Sequence, residues 1–195
     1  MEPIDQRHNL TLCSYVVMIA GTCTMLLHLM NTPTALDTLL PLRQRWRDHN
    51  QTLVFTNGVF DLLHIGHLRY LEAARALGHV LVVGLNSDTS TRQIKGPQRP
   101  LVEQNDRAAL LLGLRVVDYV MIFDEPTAEH LVAALQPDVY VKGGDYRLDS
   151  EPRQRGKPLP EAAIVQSYGG RVQLIPYLPG RSTTELIERI TQQYG

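Results

Sequence analysis

A chain of 195 residues with a net charge of −1 and 20% charged residues is sized for one α/β domain with an extension. It has no basic surplus to hold a polyanion, so nucleic acid is not an expected partner. Both cysteines, Cys13 and Cys23, lie near the amino terminus, which removes disulfides, thiolate metal sites and a cysteine nucleophile from everything downstream.

Residues 9–36 contain no Asp, Glu, Lys or Arg, and residues 10–30 are mostly apolar, close to the ~20 residues a membrane-spanning helix needs. Arg43, Arg45 and Arg47 follow the run, whereas Glu2, Asp5 and Arg7 precede it. A span would therefore leave the carboxyl-terminal part in the cytoplasm. The two early acids argue against a cleavable signal peptide. Thr, Ser and His28 interrupt the run. A spurious start upstream of Met25 or Met30, or a disordered extension, ranks ahead of a membrane anchor. The expected division is an extension, 1–30, and a globular domain, 31–195.

Residues 34–49 read as a helix with an apolar side (Leu36, Leu39, Leu40) and a basic side (43–47). A first strand at 52–56 enters a turn, and an amphipathic helix over 68–77 leaves it, with Gly78 as the residue that ends it. The apolar run 80–85 suits a parallel strand covered on both faces. It ends in Asn86-Ser87-Asp88, an Asx turn or a ligand contact. Residues 92–100, with two prolines, a glycine and the cations Arg92, Lys95 and Arg99, read as a loop and a candidate phosphate clamp. A helix over 103–114 carries Arg107, strand three spans 119–123, and Thr127 caps a helix with the apolar set Leu131, Val132 and Leu135.

Strand four, 139–141, runs into Lys142-Gly143-Gly144-Asp145-Tyr146, where paired glycines imply close backbone approach. Residues 147–158 read as exposed and mobile. Pro160 opens a helix at its first position and Gly169 closes it. Strand five is 171–175, and Ser182 with Glu185 makes a capping box for the last helix. This alternation predicts a Rossmann-like α/β fold: five parallel strands in the order 3-2-1-4-5 with helices on both faces.

The functional signal is concentrated in Thr56-Asn57-Gly58-Val59-Phe60-Asp61-Leu62-Leu63-His64-Ile65-Gly66-His67. Strand, glycine turn and helix start follow one another there, and a helix's first turn offers unpaired N–H groups and partial positive charge to a phosphate. Gly58 and Gly66 permit close approach to it. His64 and His67, three apart, share one face of the first turn and can donate to charge growing on phosphate oxygens.

At these residues the chain resembles the nucleotidyltransferase superfamily that carries the His-Ile-Gly-His signature: cytidylyltransferases, adenylyltransferases and class I aminoacyl-tRNA synthetases. With Lys95-Gly96-Pro97, Arg99-Pro100, Lys142 to Tyr146 and Arg181-Ser182-Thr183-Thr184 added, residues 52–190 resemble the adenylyltransferase half of bacterial ADP-heptose synthase. Val59 stands where many relatives have Cys. No Lys-Met-Ser-Lys-Ser segment follows, which sets aside a tRNA synthetase.

The resemblance implies transfer of AMP from ATP, with Mg²⁺, to D-glycero-β-D-manno-heptose 1-phosphate in the cytoplasm. It implies His64, His67 and Lys95 as catalytic residues. Thr56, Asn57, Gly58, Phe60, Asp61, Asn86, Asp88, Arg181, Ser182, Thr183 and Thr184 would hold the nucleotide. Arg99, Lys142, Gly143, Gly144 and Asp145 would meet the acceptor or the base. No protein-built metal site is expected, a separate sugar kinase would supply the acceptor, and a homodimer is compatible. Two alternatives stay open: a cytidylyltransferase acting on glycerol 3-phosphate or a similar alcohol phosphate, and a non-catalytic, membrane-attached nucleotide-binding module.

Overall fold

The computed structural model describes residues 32–143, 157–176, 178 and 180–195. The apolar run 10–30 and the segment 144–156 therefore lie outside the described residues, as do Gly144 and Asp145. Residues Pro33–Gly195 form one compact unit. Among the described residues no helix is long and apolar enough to cross a membrane.

The elements run α1 (Leu36–Asp48), β1 (Leu53–Gly58), α2 (Ile65–Arg75), β2 (Val80–Asn86), α3 (Asp88–Lys95), α4 (Gln104–Leu112), β3 (Tyr119–Phe123), α5 (Glu129–Leu135), β4 (Val139–Gly143), α6 (Glu161–Ser167), β5 (Arg171–Ile175) and α7 (Thr183–Tyr194). The strands make one parallel sheet in the order β3-β2-β1-β4-β5, as the βα alternation predicts. β1 pairs with β2 from Leu53 opposite Val80 to Gly58 opposite Leu85, and with β4 from Val54 opposite Val139 to Thr56 opposite Val141.

Successive strand side chains point to opposite faces, so the apolar runs feed two cores. Leu53, Phe55, Val80 and Val82 join Leu39 and Trp46 of α1, Leu131, Val132 and Leu135 of α5, and Val165 of α6. Val54, Leu81, Val83 and Leu85 join Leu71 and Ala74 of α2 and Ala108 and Leu111 of α4. Helices cover both faces, and that leaves the carboxyl ends of β1 and β4, at the middle of the sheet, for ligands.

Several local expectations change. Residues 92–95 are not loop but the last turn of α3. Ser87 caps that helix, accepting from the Ser90 N–H, and the loop begins only at Gly96, whose φ of 96° a glycine tolerates. Arg43 does not belong to a solvated basic side: it is buried, and its guanidinium forks onto Asp138 at 2.8 and 3.0 Å while also donating to the carbonyls of Leu135 and Gln136. Asp138 in turn accepts from the Leu53 N–H at the start of β1. This fastens α1 to the strand it precedes, and Trp46 packs against Tyr119 with centroids 5.4 Å apart.

Thr127 does not cap α5. Ala128 occupies that place, its N–H bonded to buried Glu161, while Thr127 bonds Glu129. Pro160 is the cap of α6 rather than its first residue. Gly78 follows the α2 cap Ala76 without left-handed backbone. A side chain there would collide with Val54 and the Thr52 carbonyl, at 2.6 and 2.8 Å. Close packing, not helix termination, is what requires that glycine.

Candidate active site

β1 carries the signature past the expected strand end, through Asn57 to Gly58. Asn57 Oδ1 accepts from the Tyr140 hydroxyl at 2.7 Å and from Lys142 Nζ at 3.1 Å, and Lys142 Nζ also reaches the Asn57 carbonyl. Thr56 Oγ1 bonds Tyr70 of α2 at 2.7 Å, and the Tyr70 hydroxyl donates to the Val141 carbonyl. Side chains of β1, β4 and α2 thus lock the end of the first strand. Thr56 and Lys142 are both buried, and their side chains bond to neighbouring residues of the fold.

His64 is not in the first helical turn but is the cap of α2. Its backbone is extended, and its Nδ1 accepts from the Gly66 N–H at 3.0 Å. That bond requires an unprotonated Nδ1, so the proton of the neutral ring sits on Nε2. His67, in the first turn of α2, stacks on His64 with ring centroids 3.9 Å apart and planes 26° apart. Burial lowers the His64 pKa, opposed by the charge of Glu185. Burial, then the neighbouring His64, lowers His67 to about 4. Two neutral imidazoles therefore stand at the helix start at neutral pH, able to donate from ring N–H groups. His67 Nδ1 is buried and has no hydrogen-bond partner among the described residues.

The second wall is the start of α7. Ser182 Oγ accepts from the Glu185 N–H, and Glu185 Oε2 accepts from the Ser182 N–H, a complete capping box. A side chain on Gly66 would lie 2.8 Å from the Arg181 carbonyl and 2.8 Å from the His64 ring. Gly66 thus lets α2 and α7 approach with the imidazole between them. A cleft of about 200 Å³ opens there, bounded by His64, Ile65, Arg181, Ser182, Glu185 and Arg189. Arg189 was not singled out from the motifs. Its spacing of i+4 from Glu185 on one face of α7 is the available signal.

The remaining candidates divide. Both Asp61 oxygens are taken up inside the protein by Arg99 Nε (2.6 Å) and by the N–H groups of Leu101 and Val102. Asn86 is buried and donates to Ser90 Oγ. Asp88 pairs with Arg107. Lys95 is exposed at the end of α3 and does not line the cleft. Gly143 closes β4, Thr183 is half-buried, and Thr184 is exposed in the first turn of α7.

Among the described residues no group of three or more His, Cys, Asp and Glu side chains could hold a metal ion, and Asp61 and Asp88 are already engaged by arginines. These residues do not fit a protein-built magnesium site.

A doubly wound parallel sheet whose central strand delivers a His-Ile-Gly-His helix start defines a nucleotidyltransferase domain. The chain belongs to the cytidylyltransferase-like family, whose model matches residues 55–189. It is 50% identical over 165 residues to the bifunctional protein HldE of Syntrophotalea carbinolica, covering 81% of this chain and 32% of that protein. It is 48% identical over 160 residues to the bifunctional protein HldE of Geobacter sulfurreducens, covering 82% and 31%. The chain spans about a third of the length of these curated relatives. Among solved structures it is similar to the lipopolysaccharide core biosynthesis protein from Thermoplasma volcanium GSS1, with TM-score 0.51 and 29% identity over 66% of this chain and 97% of that one.

Proposed function

We propose that this chain transfers AMP from ATP to a sugar 1-phosphate, D-glycero-β-D-manno-heptose 1-phosphate, releasing pyrophosphate and an ADP-sugar. The observation that carries the reading is the stacked His64–His67 pair at the α2 start, whose His64 ring lines the cleft opposite the capped start of α7. Identity of 50% to a bifunctional HldE protein, together with the likeness to a lipopolysaccharide core biosynthesis protein, supports the sugar phosphate as acceptor.

A phosphate monoester is largely dianionic near neutral pH, its second pKa being about 6, so the acceptor oxygen needs no general base. It attacks the α-phosphorus in line, the bond to the bridging oxygen breaks, and pyrophosphate leaves with that electron pair. His64 Nε2–H and the His67 ring donate to oxygens that gain charge. Thr56, Asn57, Gly58 and Phe60 shape the nucleotide side through backbone and turn. Arg181, Ser182, Thr183 and Thr184 close on the triphosphate. Lys95, Asn86 and Asp88 belong to the α3 side, and Lys142, Gly143, Gly144 and Asp145 to the acceptor or base side.

Magnesium would arrive on the triphosphate and neutralise its charge. Residues 31–195 are the catalytic domain in this reading. A separate sugar kinase supplies the acceptor, and the reaction runs in the cytoplasm. Pyrophosphate release across a matrix of nucleotides and phosphate esters tests it. ATP with the heptose 1-phosphate should be fastest, since a site that pairs buried polar groups rejects mismatched partners by up to about 10⁴-fold. Faster turnover of CTP with glycerol 3-phosphate would overturn the assignment in favour of a cytidylyltransferase. Nucleotide binding without pyrophosphate release would reduce the chain to a binding module.

A further inference from the structure

Two buried ionic side chains, Asp61 and Arg107, line no part of the cleft, yet both close on the signature turn. Asp61, 1% exposed at its side chain, accepts from Arg99 and from the N–H groups of Leu101 and Val102. Arg107, fully buried in α4, donates to the carbonyls of Val102 (2.8 Å), Asn86 (2.9 Å) and Val59 (2.5 Å) and to Asp88 Oδ1 (2.7 Å). Val102 is therefore gripped at its N–H by Asp61 and at its carbonyl by Arg107.

Between the two anchored residues 59 and 61 stands Phe60, whose φ of 47° is costly for a bulky side chain and persists only where the surroundings over-determine it. The Phe60 ring is buried and lies 5.4 Å from the His67 ring, at 57°. A continuous line of contact thus runs from the brace through Phe60 to His67, and from His67 to the stacked His64 ring that lines the cleft.

We propose that Asp61 and Arg107 are positioning residues for nucleotidyl transfer: by bracing residues 59–61 against residues 99–102 they hold Phe60 in its left-handed conformation, and Phe60 sets the His67 ring. The inference rests on the reading of His67 as a donor in the transfer.

The test uses the full chain with Phe60→Leu, Asp61→Asn and the double variant. It has two readouts: pyrophosphate release from ATP and the heptose 1-phosphate, and the imidazole titration of His67 by NMR with exposed His130 as internal control. Each single variant should lower kcat by about 10- to 100-fold, as for a misplaced catalytic group, and Asp61→Asn should leave KM for ATP nearly unchanged. The double variant should lose no more than the worse single, because both act along one line. The His67 titration should move toward the ordinary histidine range in all three while His130 stays put.

Multiplicative losses in the double variant, or an unmoved His67, would overturn the proposal. If Asp61→Asn does not fold, Phe60→Leu decides alone, since it leaves the brace intact: unchanged kcat and unchanged His67 titration sink the idea. If the wild-type chain releases no pyrophosphate with any pair, the proposed reaction fails, and the His67 titration in the same variants still decides whether the brace positions that ring.

Discussion

His64 lies against His67 with ring centroids 3.9 Å apart, and the Nδ1 of the first is already committed to the Gly66 N–H. The pair is therefore asymmetric: one ring is held by the helix it caps, the other by burial. Substitutions can separate these roles. His64→Asn should keep the cap, because Asn is among the best capping residues, and change stability by no more than about 0.5 kcal/mol. It loses the Nε2–H donor, and kcat should fall by at least about 100-fold. His64→Ala should lose both, with about 1 kcal/mol of stability gone as well. Urea unfolding and steady-state kinetics on the two variants check this, and near wild-type turnover by His64→Asn would remove the ring from the mechanism.

The depressed pKa of His67 makes folding pH-dependent. Its folded value is about 4, against an ordinary 6.5, so between those values the unfolded chain binds more protons and stability rises with pH. The contribution is complete above about pH 6.5, fades as pH falls toward 4, and amounts to at most about 3 kcal/mol. Urea titrations at a series of pH values should show that slope in the wild type and a shallower one in His67→Asn. Parallel slopes would mean that His67 is not held neutral by the fold.

Gly66→Ala tests the junction of the two helix starts. The added methyl would sit 2.8 Å from the Arg181 carbonyl and from the His64 ring, so α7 or the imidazole must shift. Overpacking of this kind costs about 1–3 kcal/mol, but activity should fall by more than the folded fraction does. Thermal melts beside kinetics at a temperature where the variant is fully folded distinguish the two losses.

Arg43→Met should be destabilising without touching catalysis. The apolar stem survives, but Asp138, Leu135 and Gln136 lose their donor. The cost is about 3 kcal/mol, at the low end for a broken buried pair, because Asp138 keeps access to water. A chain starting at Met30 should retain full activity, whereas one starting after α1 should lose the Leu39 and Trp46 packing and fail to fold. Activity of the shorter chain would show that α1 is dispensable.

The sheet was legible because β2 is a seven-residue run buried at every position, and because βα alternation leaves few topologies open. The signature was legible because it joins strand, glycine and helix start in a fixed order. α3 was missed because the glycine and prolines at 96, 97 and 100 dominate the window, although Ser87, Asp88 and Lys95 mark its two ends. Arg43 reads as part of a basic helix side, and Arg107 carries no assigned role, because nothing local distinguishes a solvated guanidinium from one whose acceptors lie 48 or 95 residues away. Arg107 did give one hint: it shares a helix face with buried Ala108 and Leu111.

α7 buries none of its residues, yet its first turn forms one side of the cleft. The two sides are therefore unequal in rigidity. The α2 side is set before any ligand arrives, by strand, cap and brace. The α7 side rests on its capping box and on the Arg181–Gly66 approach, so a ligand that bridges the cleft must spend part of its binding free energy on ordering that helix. Affinity at this site is then a measure of how firmly the last helix is pinned, as much as of how well the ligand is matched.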